Sequence, residues 1–185
     1  MDKVRALLDL RDQIVDAGRA EGREAWFFPD YQGVKGYLGT MPIVFAGPNP
    51  STGHFPQKSD KFLYDNLQSF GFAEAHLTDC IKYRATNNEI LALKKATSFK
   101  CDEGLMLGQR AYFLREIEII RPSILVAMGN TAAEILAGWL QDDPRLVKML
   151  HYKKPARFNQ IADHNRFVED LNHIRKVFGS PGGCY

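Results

Sequence analysis

The sequence predicts an α/β protein built on a four-stranded parallel sheet with helices on both faces. Three observations point there. Four apolar runs, "MPIVFAG", "AHLTDCIKY", "SILVAMG" and "RLVKMLH", have strand length and are separated by segments of helical period. The runs "MPIVFAG" and "SILVAMG" are continuous rather than alternating, as strands covered on both faces are. Strands that alternate with helices join by crossovers into parallel sheets.

Each element follows in order. Val4, Leu7, Leu8, Arg11, Ile14 and Val15 keep a helical period, and Gly18 or Gly22 stops that helix. The aromatic, glycine-rich "WFFPDYQGVKGYLG" reads as an irregular segment packed on the domain. "MPIVFAG" is then a central strand bounded by Pro and Gly. "KSDKFLYDNLQSFGF" places Phe62, Leu63, Leu67 and Phe70 at helical spacing, with Gly71 as its stop. "AHLTDCIKY" is the second strand, and "CDEGLMLGQRAYFLREIEII" reads as one long helix ended by Arg121-Pro122. "SILVAMG" is the third strand, and "NTAAEILAGWL" a helix capped by Asn130 or Thr131. "RLVKMLH" is the fourth, shorter strand. The basic loop "YKKPARFN" leads from it to a last helix from about Asp163 to Phe178.

Bulk properties narrow the function. The 185 residues suit one domain spanning 1–185: an N-terminal helix and aromatic segment over 1–40, a motif-bearing core over 41–160, and a C-terminal helix and tail over 161–185. With 24 basic against 22 acidic residues, overall charge does not mark a nucleic-acid binder, so any such role must come from local patches. Cys80, Cys101 and Cys184 are too few and too scattered for a disulfide framework or a Cys-x-x-Cys metal site, and fit reduced thiols in a cytoplasmic protein. The start "MDKVRALLDLRDQIVDAG" is charged throughout, unlike a secretory signal or a membrane span.

Ligands of parallel sheets bind at the carboxyl ends of the strands, which selects the loops after Gly47, Ile81, Gly129 and His151. In the first loop, Pro48 and Pro50 fix two φ angles and bias Asn49 towards extended backbone, while Gly47 and Gly53 allow close approach of a ligand. Asn49 either presents its amide at the mouth of the sheet or makes a local turn and caps the next helix. In the fourth loop His151 is followed by Lys153, Lys154 and Arg157; from Arg145 to Arg157 there are five basic residues and no acidic one. A histidine beside such a patch suits polarisation of a carbonyl next to bound phosphates, or simply a solvated basic surface. His54 is a minor candidate, His76 begins a strand, and His164 and His173, nine apart, cannot share one helix face. On the second strand Thr78-Asp79 interrupts an apolar frame. A carboxylate there is either buried with partners or aimed into a pocket. Lys82, Arg84, Lys94, Lys95 and Lys100 form a second basic region, for which a solvated face is the plain alternative.

Five segments, in order, resemble the uracil-DNA glycosylase superfamily. "VFAGPNPS" resembles its first motif, Gly-x-Asn-Pro-Gly/Ser, and "SDKFLYDNLQSFGF" a helix and Gly-Phe turn of its mismatch-specific branch. "HLTDCIKYRATNN" and "IEIIRPSILVAMGNTAAEIL" resemble segments of its thermophilic, iron–sulphur branch. "HYKKPARF" falls where the second motif, His-Pro-Ser or His-Pro-Ala, stands. The resemblance covers roughly residues 41 to 160. It implies a three-layer α/β/α sandwich with a four-stranded parallel sheet, and a DNA-repair enzyme that hydrolyses the N-glycosidic bond of a flipped, deaminated or damaged base, uracil or related. Carried over, Asn49 orients the attacking water and His151 donates to the base's carbonyl oxygen. Gly47, Pro48, Phe55 and Asp79 line the base pocket, Phe55 as the stacking aromatic. Ser51, Lys82, Arg84, Lys153, Lys154 and Arg157 contact DNA, double- or single-stranded.

Departures refine this. Tyr83 stands where the iron–sulphur branch has a cysteine and no early Cys-x-x-Cys exists, so no cluster, metal or other cofactor is expected, and the protein is expected to be a monomer. Asp79 stands where that branch has a base-reading asparagine; an ionised carboxylate only accepts hydrogen bonds, so Asp79 suits a base edge with an amino group or must be protonated. Tyr152 replaces the proline of the second motif. Two other classes remain: a non-catalytic nucleic-acid-binding module of this fold, and an α/β enzyme acting on free nucleosides or nucleotides.

Overall fold

Backbone ladders join four strands, all parallel, in the order β2-β1-β3-β4: β1 is Met41–Gly47, β2 Ala75–Asp79, β3 Ile124–Met128 and β4 Leu146–Met149. The structure is a computed structural model that describes residues 2–141, 143–149 and 161–179. Strand alternation sends neighbouring side chains to opposite faces. Val44 and Ala46 of β1, with Leu125 and Ala127 of β3, enter the core under helices α1 (Lys3–Ala20), α4 (Gln109–Ile120) and α5 (Asn130–Leu140). Ile43, Phe45, Ile124, Val126 and Met128 enter the core under α2 (Lys58–Ser69) and α6 (Ile161–Gly179). Helix, sheet and helix thus form the expected three layers. Among the described residues no helix is long and apolar enough to cross a membrane.

Local chemistry sets the boundaries. Asp2 caps α1 by accepting from the Val4 and Arg5 amides. The segment expected as one helix from residue 101 to 120 is instead a short 3-10 turn, Gly104–Met106, followed by α4. Gly104 and Gly108 take φ of 53° and 69°, outside helical backbone, and Gly108 forms the N-cap. A further helix, α3 (Asn87–Thr97), lies in the stretch read only as basic surface. Its signal is a capping box: Thr86 accepts from the Glu89 amide while Glu89 accepts from Thr86. The start of α5 also differs, since Gly129 is its N-cap and neither Asn130 nor Thr131 caps it. Strand β2 ends at Asp79, short of the run that predicted it, because the chain then bends into a loop.

Alternation on β2 splits its polar residues between the two faces. His76 and Thr78 point towards α4, where Glu116 is fully buried. Lys82, also fully buried, brings its ammonium 2.7 Å from Glu116 Oε2 and also donates to Thr78 Oγ1 at 2.6 Å and to the Asp79 carbonyl. Thr78 Oγ1 donates to Glu116 Oε2 at 2.9 Å, and His76 Nε2 lies 3.7 Å from it, beyond hydrogen-bonding distance. The Lys82 ammonium also faces the Phe113 ring, 5.3 Å from its centroid. Burial pushes the Glu116 carboxyl up, but Lys82 and then His76 outweigh it and hold the group below the usual carboxylate range.

A buried charge left without its partner is costly. Glu116→Ala is therefore expected to lower stability by about 3–5 kcal/mol in urea denaturation, through the stranded Lys82. Because the folded-state pKa of Glu116 is depressed, its ionisation supports folding above the ordinary carboxylate pKa, and that support is lost as pH falls through the folded value. Acid denaturation of Glu116→Ala is accordingly expected to be shallower than that of the wild type.

Candidate functional site

The order β2-β1-β3-β4 means that the chain leaves β1 in one direction and re-enters the sheet on the other side, at β3. Ligand clefts of open α/β sheets form at such switch points, beyond the carboxyl ends of the strands. A cleft of ≈ 920 Å³ lies there. Its floor is Gly47–Gly53 after β1, Asp79 at the end of β2, and Met128–Thr131 at the end of β3. Trp26, Phe28 and Phe55 form one wall, and Ile90, Leu91 and Lys94 of α3 another.

The loop after β1 is tied down along its length. Backbone hydrogen bonds continue past both strands: Cys80 N donates to Gly47 O at 2.8 Å, Ile81 N to Pro48 O at 3.0 Å, and Ala85 N to Pro50 O at 3.3 Å. Asn49 adds its side chain. Its Nδ2 donates to Pro50 O at 2.9 Å and to Ala85 O at 3.1 Å. Both partners are acceptors, so they fix which end of the amide is nitrogen. Both amide hydrogens are used, so Oδ1 is left as an acceptor without a described donor on a residue that lines the cleft.

Arg84, which also lines the cleft, clamps the same loop. Its guanidinium donates to the carbonyls of Ser51 and Gly53, pairs with Glu24 at 2.9 Å and faces the Trp26 ring at 5.6 Å. The Arg84 charge is thus committed to holding the loop.

Asp79 sits opposite Gly47 in the β1–β2 register. A Cβ on Gly47 would land on the Asp79 carboxylate, so the glycine makes room for it. Asp79 is only 5% exposed and lines the cleft. Burial pushes its pKa up to about 7; Lys82 opposes the rise, and Glu116 and Asp60 add to it.

The site residues named from sequence separate into three groups. Gly47, Pro48, Asn49, Ser51, Phe55, Asp79 and Arg84 all line the cleft. Phe55 is half-buried in a cluster with Trp26, Tyr31 and Tyr64, at centroid distances of 5.9, 5.2 and 5.7 Å. Lys82 departs from the expected DNA contact, since its fully buried ammonium is bound to Glu116 and cannot reach a phosphate. His151, Lys153, Lys154 and Arg157 lie outside the described residues, as does Cys184. His54 is exposed on the loop and is not part of the cleft wall, and His76 is buried on the far face of β2. Tyr83, at the position of the cluster cysteine, is buried against Gly18 of α1.

Sequence reasoning missed Trp26 and Asp60. Trp26 is set in place by its amide, which donates to Lys82 O at 3.0 Å. Asp60 lines the cleft from the first turn of α2 and accepts from the Gln57 amide at 2.7 Å; burial raises its pKa. The capping pattern Gln57-x-x-Asp60 was its only signal. Among the described residues, no three His, Cys, Asp or Glu side chains gather as a metal-ligand set.

The family model that matches the chain is described as the Uracil DNA glycosylase superfamily and spans residues 36–175, from the turn before β1 into α6. No curated protein matches the chain.

Asp79 gives this site a stability signature. Between about pH 4 and pH 7 the folded protein holds a proton that the unfolded chain releases, so this group's contribution to stability falls as pH rises through that window. Asp79→Asn removes the ionisation and keeps the shape. Its melting temperature at pH 8 is expected to exceed the wild type's by on the order of 5–10 °C, and the gap is expected to narrow as pH falls and to close only near pH 4, as read by calorimetry.

Proposed function

Because the chain belongs to the uracil DNA glycosylase superfamily, we propose that it hydrolyses the N-glycosidic bond of a deaminated or damaged base in DNA, as a monofunctional repair glycosylase. A stacked base is out of reach of a cleft beyond a sheet edge, so the nucleotide must be flipped into it. The observation that carries the reading is Asn49. Asn49 lines the cleft, and with both amide hydrogens bound to backbone carbonyls its Oδ1 is the acceptor left to hold one hydrogen of a water.

The amide is too weak a base to take that proton early, so its contribution is orientation of the water towards the anomeric carbon. Bond breaking puts positive charge on the sugar and negative charge on the departing base. Phe55 gives the base a face to stack on. His151, two residues past β4 in the chain, is assigned the hydrogen bond to the base's carbonyl oxygen, where the negative charge grows. Ser51 at the rim and Lys153, Lys154 and Arg157 in the loop after β4 are assigned the phosphates. Arg84 acts indirectly, by holding the loop that carries Asn49.

The test is purified protein on oligonucleotides bearing uracil, hypoxanthine, xanthine or alkylated cytosine, scored for alkali-labile abasic sites. Release of at least one base is expected. Asn49→Ala should slow it by on the order of 10²-fold through loss of water positioning, and His151→Ala by on the order of 10²–10³-fold through loss of charge stabilisation. Binding without release across the panel would instead mark a non-catalytic binding module.

A further inference from the structure

Asp79 is 5% exposed, lines the cleft, and receives no hydrogen bond on its carboxyl group from any described residue. The nearby ammonium of Lys82 is turned away, onto the Asp79 backbone carbonyl and Glu116 on the other face of the sheet. Among the described residues nothing takes up the hydrogen-bonding capacity of this group, with a glycine opposite to admit it, and the capacity is left for what enters the cleft.

Resting on the glycosylase reading above, we propose that Asp79 is the base-reading residue and works as a neutral carboxylic acid, recognising base edges that set an N–H beside a carbonyl. In that form it offers one acceptor and one donor side by side, like the amide of an asparagine. Its carbonyl oxygen accepts the ring N–H of uracil, hypoxanthine or xanthine, and its hydroxyl donates to the adjacent carbonyl oxygen. Ionised, it offers acceptors only, and one of them then faces that carbonyl oxygen without a proton between them.

The surroundings favour the neutral form below about neutral pH. Asp60 on α2 and Glu116 on α4 disfavour a third negative charge and Lys82 after β2 favours it, while Gly47 of β1 lies against the carboxyl and Met128 of β3 lies beside Gly47. Burial tips the balance and brings the titration to about 7. Recognition of an imide or lactam edge should therefore weaken as pH rises through neutrality.

Binding separates this from cleavage. The probe is an oligonucleotide with 2′-deoxypseudouridine, whose carbon–carbon glycosidic bond cannot be hydrolysed and whose outer edge matches uracil's. The reference is the same strand with a tetrahydrofuran abasic analogue, which has no base to read. In the wild type, the preference for the probe over the reference should fall at least tenfold between pH 6 and pH 8.5. In Asp79→Asn it should stay constant to within about twofold, because an amide does not titrate. A wild-type preference that is absent, or flat with pH, would overturn the proposal whether or not the variant folds. So would a parallel decline in both proteins. Uracil release is followed in parallel. The predicted binding profile without release leaves Asp79 as the base reader and removes the glycosylase reading. Release with identical pH dependence in both proteins keeps the glycosylase reading and removes the neutral-acid role.

Discussion

The site depends on an ion pair that never reaches it. Lys82 and Glu116 meet at 2.7 Å in a fully buried position between β2 and α4. Such a pair adds little net stability over an apolar substitute, but it demands its partners and so imposes one arrangement on the chain. Here it fixes residues 80–85. The Lys82 ammonium also binds the Asp79 carbonyl and Thr78, while its amide donates to Gln109 at 2.7 Å and its carbonyl accepts from Trp26. Once that segment is pinned, the groups of Ala85 lie where Pro50 and Asn49 need them, and Arg84 reaches the carbonyls of Ser51 and Gly53. Asn49 is held by a chain of contacts whose anchor lies on the opposite face of the sheet.

The same strand sets two carboxylates in opposed states. Thr78 points to the α4 side, where Glu116 accepts from the Lys82 ammonium and the Thr78 hydroxyl and stays ionised. Asp79, one residue on, points to the other side, where it has burial, a glycine and a cleft. Lys82 is close to both but spends its hydrogen bonds on one. Environments that push the titrations of neighbouring acids apart are how a single site holds an acid and an anion at one pH.

Much of the sheet was legible because its punctuation is strong. Strand β1 matches the predicted run residue for residue, with Pro42 at one end and Gly47-Pro48 at the other. Asn49 was legible for the same reason, since proline and glycine restrict backbone in a way that shows in sequence. Which end of its amide faces the cleft was not, because that is set by the carbonyl of Ala85, thirty-six residues away. Lys82 was misread for a similar reason. It belongs to a run of basic residues, and only its pairing with Glu116, thirty-four residues on, shows that it is buried. Helix α3 was hidden because it buries little beyond Ile90, which leaves a weak apolar period and a capping box as its only marks.

In the proposed reaction the cleft at the β1–β3 switch point holds a flipped nucleotide between Asn49 and Asp79. A crystal structure with an oligonucleotide carrying 2′-fluoroarabino-uridine, whose glycosidic bond resists hydrolysis, tests it most directly. The uracil ring is expected to stack on Phe55 with its N–H and a carbonyl oxygen on the Asp79 carboxyl. A water on Asn49 Oδ1 should lie about 3–3.5 Å from the anomeric carbon. A base bound outside the cleft, or one whose sugar lies away from Asn49, would contradict it.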